Sequence, residues 1–363
     1  MKWLLHLLEK NKVHFEAGKP LAGWKPLYEA FENFMFATAT PTRVAPHLRD
    51  PIDLKRYMMV VVIALLPATL AGWYFNGLRV LALIALSYVV GAIIEVAFAI
   101  VRKEEINEGF LVTGLIFPLT LPPDIPFWIA AVGMAFGIIF GKELFGGTGR
   151  NLFNPALAGR AFLAIGYAKP MASGFFKAPD TFPGNLFRWI DGSTTDAVAG
   201  ATPMMNVKGG ALEPIQNLLF GLHPGSIGET CSVLIVVGGI FLLLTKVASW
   251  RTVLGALASV AVFQAILHAV VPGAAPAPAE WHLLAGGLLF GVFFMATDPV
   301  SSPITNGGKI VYGVLIGIVT VLIRNFSGYV EGVMFGVLFG NLVAPFIDDI
   351  ALALRSRRLS REA

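Results

Sequence analysis

From residue 57 onward the chain alternates long apolar stretches with short polar turns, and several stretches reach the roughly 20 residues a helix needs to cross a hydrocarbon core of about 30 Å. The pattern predicts spans at about 57–74, 80–101, 125–140, 155–168, 228–247, 252–271, 282–297, 310–323 and 333–354, with a Gly- and Pro-interrupted segment at 109–121 after the second. About ten membrane helices follow. Residues 1–56 differ: strings such as Trp3-Leu4-Leu5-His6-Leu7-Leu8 mix apolar, aromatic and charged positions, as short amphipathic helices along an interface do. They contain no continuous apolar run of the kind that marks a cleavable signal peptide. The expected organisation is an amphipathic region (1–56), a first membrane repeat (57–168), an external loop (169–227), a second membrane repeat (228–354) and a basic tail (355–363).

Two pairs of segments suggest that the membrane blocks are repeats. Asn151-Leu152-Phe153-Asn154-Pro155 is echoed by Asn341-Leu342-Val343-Ala344-Pro345, and residues 109–123 resemble 287–303, both apolar, rich in Gly and Phe, and closed by prolines. A repeat of five spans is odd-numbered, so its second copy is expected to be inverted in the bilayer. Interrupted helices in matching places of two inverted halves converge on a central site.

Composition agrees with membrane insertion: 56% of the 363 residues are hydrophobic and 14% are charged, against about 25% charged in a soluble domain. The net charge of +4 gathers near the ends, which suits membrane orientation better than nucleic-acid binding. With the N-terminal region inside, the Lys- and Arg-bearing turns 102–105, 142–150, 246–251 and 298–309 and the tail 355–358 also fall inside, whereas 75–78, 122–126 and 272–281 fall outside. The loop 168–227 then faces outward. Both termini are expected in the cytoplasm.

Candidate chemistry begins in that loop. Asp196-Ala197-Val198-Ala199-Gly200-Ala201-Thr202-Pro203 ends on a threonine beside small residues, and an accessible hydroxyl there can accept a phosphoester and so tether a phosphate-bearing cofactor. The bland reading is an ordinary Gly-containing turn, and Thr194 and Thr195 are acceptors that local chemistry alone does not exclude. Glu95 lies in the second span, where a carboxylate costs about 2.5–3.5 kcal/mol unless it faces protein or water. It is either functional or paired with an interior arginine such as Arg160; Asp298 and Asp348 are parallel acids in the second half. The lone cysteine, Cys231, forms no internal disulfide and supplies no ordinary iron–sulfur cluster. The six histidines show no metal-ligand spacing, and Gly146-Gly147-Thr148-Gly149 lacks the Lys-Ser or Lys-Thr of a phosphate loop.

Long strings carry a resemblance. Residues 142–162 (KELFGGTGRNLFNPALAGRAF), 47–56 (HLRDPIDLKR), 106–110 (INEGF), 294–300 (FMATDPV) and 196–202 resemble the NqrB family, a membrane component of the sodium-translocating NADH:quinone oxidoreductases, to which RnfD of the Rnf complexes is related. The resemblance runs nearly end to end, and a region like 1–56 favours the NqrB branch. It implies an all-α fold of about ten helices in two inverted five-helix repeats, akin to urea transporters, in a bacterial inner membrane. It further implies FMN joined through its phosphate to Thr202, with Asp196, Gly200 and Ala201 completing the motif and Ala199 standing where Ser or Thr is frequent. A separate flavin transferase would install it on the periplasmic side.

The resemblance also associates Asn151 and Asn154 with a noncovalent riboflavin, Gly91 and Glu95 with quinone, and Glu95, Asp298 and Asp348 with sodium uptake. Two amides three residues apart on one helix face suit the polar edge of a flavin; the alternative is helix capping beside a glycine bend. The implied activity is electron relay from NADH toward quinone coupled to sodium export, in a complex of about six subunits. No strand–GxGxxG–helix unit is readable, so a partner must oxidise NADH. The competing expectations are an Rnf-type component working between ferredoxin and NAD, and a small-solute channel or transporter without redox function.

Overall fold

The computed structural model describes Lys19 and residues 54–103, 109–176, 179, 183–190, 198–199, 201–329 and 331–362. The amphipathic helices expected within 1–56 lie almost wholly outside the described residues. Ten principal helical elements order the rest: α1 (Leu54–Asn76), α2 (Leu78–Arg102), α3 (Gly109–Leu119), α4 (Phe127–Gly141), α5 (Pro155–Gly166), α6 (Ser232–Leu244), α7 (Trp250–Val270), α8 (a turn Leu288–Phe290 continued by π-helix Gly291–Met295), α9 (Asn306–Phe326) and α10 (Val333–Glu362). Between α5 and α6 run short helices and a two-residue antiparallel pairing of Phe175–Phe176 with Val198–Ala199.

Six of these helices are long and apolar enough to cross a membrane, namely α1, α2, α4, α7, α9 and α10. The other apolar helices, Gly109–Leu119, Pro155–Gly166 and Ser232–Leu244, are shorter. At 1.5 Å per residue these reach only about 16–20 Å, so six of the ten elements are long enough to cross a membrane alone and the shorter ones pack among them. Of the interrupted elements, α3 and α8 are buried by protein: Thr113 to Leu119 of α3 and all of Gly291–Met295 are enclosed.

Helix directions are fixed by glycine contacts. α1 runs antiparallel to α6: the Tyr57 hydroxyl donates to the Val247 carbonyl (2.8 Å), Gly238 packs on the Ala64 carbonyl, and Gly72 on Ile227. α2 and α4 are parallel, with Ser87 beside Met134 (3.4 Å), Gly91 against Met134 and Ile138, and Glu95 against Lys142. α7 and α9 are likewise parallel, Gly313 meeting Thr252 and Gly317 meeting Ala256 and Ser259. α5 returns along α4 (Gly133 on Leu163, Gly137 on Gly159), as α10 returns along α9 (Gly336 on Ile316, Gly340 on Tyr312). Lipid gives helices little reason to associate, so close backbone approach at small residues supplies the packing. A side chain at Gly238 would strike the Ala64 carbonyl, which explains glycine at that crossing.

Broken helices leave backbone groups that cannot remain bare at membrane depth. A buried arginine serves each interruption. Arg79 donates to the carbonyls of Pro123 (2.9 Å), Asp124 (3.2 Å) and Ile125 (3.0 Å) after α3, and Arg324 to those of His282 (2.7 Å) and Ala285 (2.9 Å) before α8. The two Asn-x-x-x-Pro strings do not occupy equivalent places, since Pro155 opens α5 whereas Pro345 sits inside α10.

Candidate functional site

Two polar cavities are linked by α5. Pro155, its first residue, lines one; Arg160 and Ala164 line the other, about 7–14 Å farther along the axis.

The larger cavity, about 370 Å³, is walled by Arg160, Thr202, His223, Ser226, Glu229 and Glu331 among apolar residues that include Phe175, Met204 and Met334. Thr202 precedes the short helix Pro203–Asn206; its carbonyl accepts from Met205 (2.9 Å) and Asn206 (3.1 Å). The carbonyl is satisfied, but Oγ1 is not: Thr202 is 6% exposed and its hydroxyl has no hydrogen-bond partner. The expected accessible hydroxyl is therefore corrected to one enclosed in a cavity wall. Ala201 is half-buried beside it, and Asp196 and Gly200 lie outside the described residues.

His223 is buried, and the Pro224 carbonyl at 3.1 Å requires Nδ1 to be the donor, leaving Nε2 as an unpartnered acceptor. Burial holds this imidazole below its ordinary pKa, which keeps the ring neutral. Glu229 accepts from the Ser226 N–H (2.7 Å) through Oε1, and Glu331 from the Gly287 N–H (2.9 Å).

The smaller cavity, about 80 Å³, is lined by Tyr57, Lys142, Thr148, Asn151, Asn154 and Asp298, with Thr113 and Thr297 nearby. Asn154 caps α5: Oδ1 accepts from Ala156 (3.0 Å) and Leu157 (3.4 Å), and Pro155 follows at the first helical position. Asn151 donates to the Phe153 carbonyl (3.1 Å). Both amides therefore precede the helix and do not share a helix face, which corrects that expectation, although both are buried in one cavity wall. The loop before them bends at Gly146, Gly147 and Gly149, with φ of 108°, 90° and 88°, values suited to glycine. Fully buried Asn341, its amide oxygen oriented to accept from the Asn154 N–H (3.3 Å), donates to the Tyr312 hydroxyl at 2.6 Å and so braces this loop from α10.

The three acids differ. Glu95 pairs with Lys142, not with Arg160, and both side chains are buried, at 5% and 4% exposure. Neighbouring Glu143 is engaged by Arg102 at 2.7 Å. Gly91, one turn from Glu95, is filled against Met134 and Ile138 and lines neither cavity. Asp348 accepts from the N–H groups of Ile304 (2.7 Å) and Thr305 (3.0 Å) and from the Thr305 hydroxyl, fastening α10 to the start of α9. Asp298 accepts from Val300 N (3.1 Å) and Ser301 Oγ (3.0 Å) and, unlike Glu95 and Asp348, lines one of these two cavities. Among the described residues no group of three or more His, Cys, Asp or Glu forms a metal cluster.

Lys142, His223, Glu229, Glu331 and Asn341 are site residues that sequence reasoning misses. They come from separate segments, and no local spacing joins them.

Long apolar helices, buried interruptions and two cavities in which polar side chains sit among apolar walls define a polytopic α-helical membrane protein. Residues 41–354 match the model of the NQR2, RnfD, RnfE family, and the chain belongs to that family. It is 38% identical to the B subunit of the Na(+)-translocating NADH-quinone reductase of Azotobacter vinelandii, over 98% of each chain. The proteins of the same name from Pseudomonas aeruginosa, at 37% over 99% of each chain, and Klebsiella pneumoniae, at 38% over 98% of each, are similar to the same degree.

Proposed function

We propose that this chain is a membrane subunit of a redox-driven sodium pump, working as the NqrB component of a sodium-translocating NADH:quinone reductase with Thr202 as the attachment point for FMN. The observation that carries the proposal is the unpartnered, buried Thr202 hydroxyl in a cavity of about 370 Å³. That volume falls in the range of ligand pockets, roughly 300–1,000 Å³, and an orphaned buried hydroxyl is costly unless something uses it. Arg160 offers a cation against the carboxylates of Glu229 and Glu331 in the same wall, His223 Nε2 an acceptor, and Phe175, Met204 and Met334 apolar surface, which suits the ring of a phosphate-linked aromatic group held through Thr202. Bound there, a flavin supplies one-electron acceptor and donor chemistry. The chain's own residues hold it: Thr202 through oxygen, the cavity walls by excluding bulk water.

Riboflavin at Asn151 and Asn154 fits less well. The amides suit a flavin edge, but Asn154 Oδ1 is committed to capping α5 and the cavity of about 80 Å³ is below ligand-pocket size.

Of the acids, Asp298 is our candidate for sodium entry because it lines the cavity with Thr297 and Asn151. Glu95 acts through Lys142, which it holds in the wall of that cavity; quinone would border α2 at this end. Asp348 is a helix fastener. The antiparallel course of α1 and α6, and the matching order of parallel and antiparallel neighbours in each half, support an inverted pair of five-helix repeats in a bacterial inner membrane. In this orientation the termini are cytoplasmic and Thr202 periplasmic. NADH oxidation falls to partner subunits of a complex of about six, and flavin attachment to a separate transferase. The names of the relatives do not favour the Rnf alternative.

The test is in-gel flavin fluorescence of the denatured chain, made together with its transferase. Fluorescence that survives denaturation and disappears in Thr202→Ala supports the proposal and excludes a transporter without redox function. Fluorescence unchanged in Thr202→Ala contradicts the assignment.

A further inference from the structure

The larger cavity contains a charge arrangement of which attachment at Thr202 uses only Arg160. Glu229 enters from the loop before α6 and Glu331 from the loop before α10, and their Oε2 atoms converge over Gly287: a Cβ built there would lie 3.2 Å from one and 3.4 Å from the other. Arg160 Nη1, from α5, would be 3.7 Å from the same point. Arg324, from α9, is 3.8 Å from Glu331 Oε1, yet it spends hydrogen bonds on the His282 and Ala285 carbonyls. Glu331 Oε2 is buried with no donor. Gly286, at φ +65°, lets the backbone fold around Glu331, whose Oε1 would collide with any side chain at that position.

We propose that Glu229 and Glu331 form a proton-binding pair that holds one proton between two carboxylates and exchanges it with the contents of the Thr202 cavity. Two carboxylates whose Oε2 atoms both lie within 3.4 Å of one point above Gly287, in a buried site, resist double ionisation, and a proton held there answers the lack of a donor at Glu331 Oε2. Arg160 and Arg324 face the charge that remains, and with one proton on the pair the four groups together carry one net positive charge, which favours an anionic occupant. Two further atoms indicate that the cavity is built for a polar occupant: Thr202 Oγ1 and His223 Nε2, in side chains 6% and 4% exposed, are both unpartnered. His282, next to Arg324, is the other titratable group in this shell. If the redox reading of Thr202 holds, negative charge arriving in the cavity draws a further proton onto the pair from adjacent water, one proton for one electron. That last link rests on the proposed function; the proton site itself does not.

The experiment treats the purified complex with dicyclohexylcarbodiimide, which adds to protonated carboxyl groups in apolar surroundings, and maps the adducts by peptide mass spectrometry. At neutral pH we expect labelling of Glu229 or Glu331, at most one adduct per chain, suppressed at alkaline pH and equal in the Thr202→Ala complex. In Glu229→Gln the remaining Glu331 faces two arginines alone, and its labelling is lost. The proposal is overturned by absence of adducts on both glutamates in the native complex, a result that needs no variant. It is also overturned by undiminished labelling of Glu331 in Glu229→Gln, or by loss of labelling in Thr202→Ala. Covalent flavin persisting in Thr202→Ala would refute the attachment site while leaving the proton pair standing.

Discussion

Glu95 and Lys142 give the sharpest energetic test. Their side chains are 5% and 4% exposed, and Glu143, the adjacent carboxylate, is already held by Arg102 at 2.7 Å. Replacing Glu95 by Gln leaves an ammonium with almost no solvent and without its ion-pair partner. Breaking a buried pair from one side costs about 3–5 kcal/mol, whereas replacing both charges by apolar groups of similar volume is close to neutral. Glu95→Gln and Lys142→Met should therefore each destabilise by about 3–5 kcal/mol, roughly a 150- to 5,000-fold shift in the folding equilibrium. Glu95→Leu/Lys142→Met should lose far less than the sum of the Glu95→Leu and Lys142→Met singles. The assay is reversible unfolding of the purified chain in mixed micelles, analysed as a double-mutant cycle. Single variants within about 0.5 kcal/mol of the parent, or a double variant equal to the sum, would refute the reasoning.

Other predictions follow from the same contacts. Asp298→Asn should raise the sodium concentration for half-maximal quinone reduction, while Asp348→Ala should leave it unchanged and lower stability by about 1–3 kcal/mol through loss of its N–H bonds to the start of α9; a sodium titration with thermal melts separates the two. Gly238→Val, which drives a branched side chain into the Ala64 carbonyl, should abolish assembly as read by size-exclusion chromatography. His223 has a folded pKa below its ordinary value of about 6.5, so the folded state binds fewer protons than the unfolded one. Its contribution is complete above that value and is lost as pH falls below it, at up to about 1.4 kcal/mol per pH unit, and His223→Gln should flatten that part of the stability profile.

The long helices are legible because runs of about twenty apolar residues have few alternatives in water or lipid. α5, α6 and α8 read as spans because hydropathy registers burial by protein and burial by lipid alike, whereas the glycines and prolines of 109–121 already mark α3 as interrupted. The need of Glu95 for a partner is plain from its apolar neighbours, but Lys142 sits in what reads as a cytoplasmic turn and only the parallel packing of α2 on α4 brings it back. Asn151 and Asn154 do belong together, though not on a helix, since Pro155 marks the start of α5 and makes Asn154 its cap. The Thr202 motif is contiguous and can be found by eye. The cavity behind it joins α5, the segments 168–175, 202–205, 223–229 and 328–331, Gly286 and the start of α10, a coincidence of tertiary structure with no linear signature.

Peptide mass spectrometry of Thr202 in the mature complex tests the central claim most directly. The account predicts that the peptide spanning 196–205 carries the mass of FMN less one water, on the oxygen of Thr202. An unmodified peptide from a complex matured with its own transferase would contradict it.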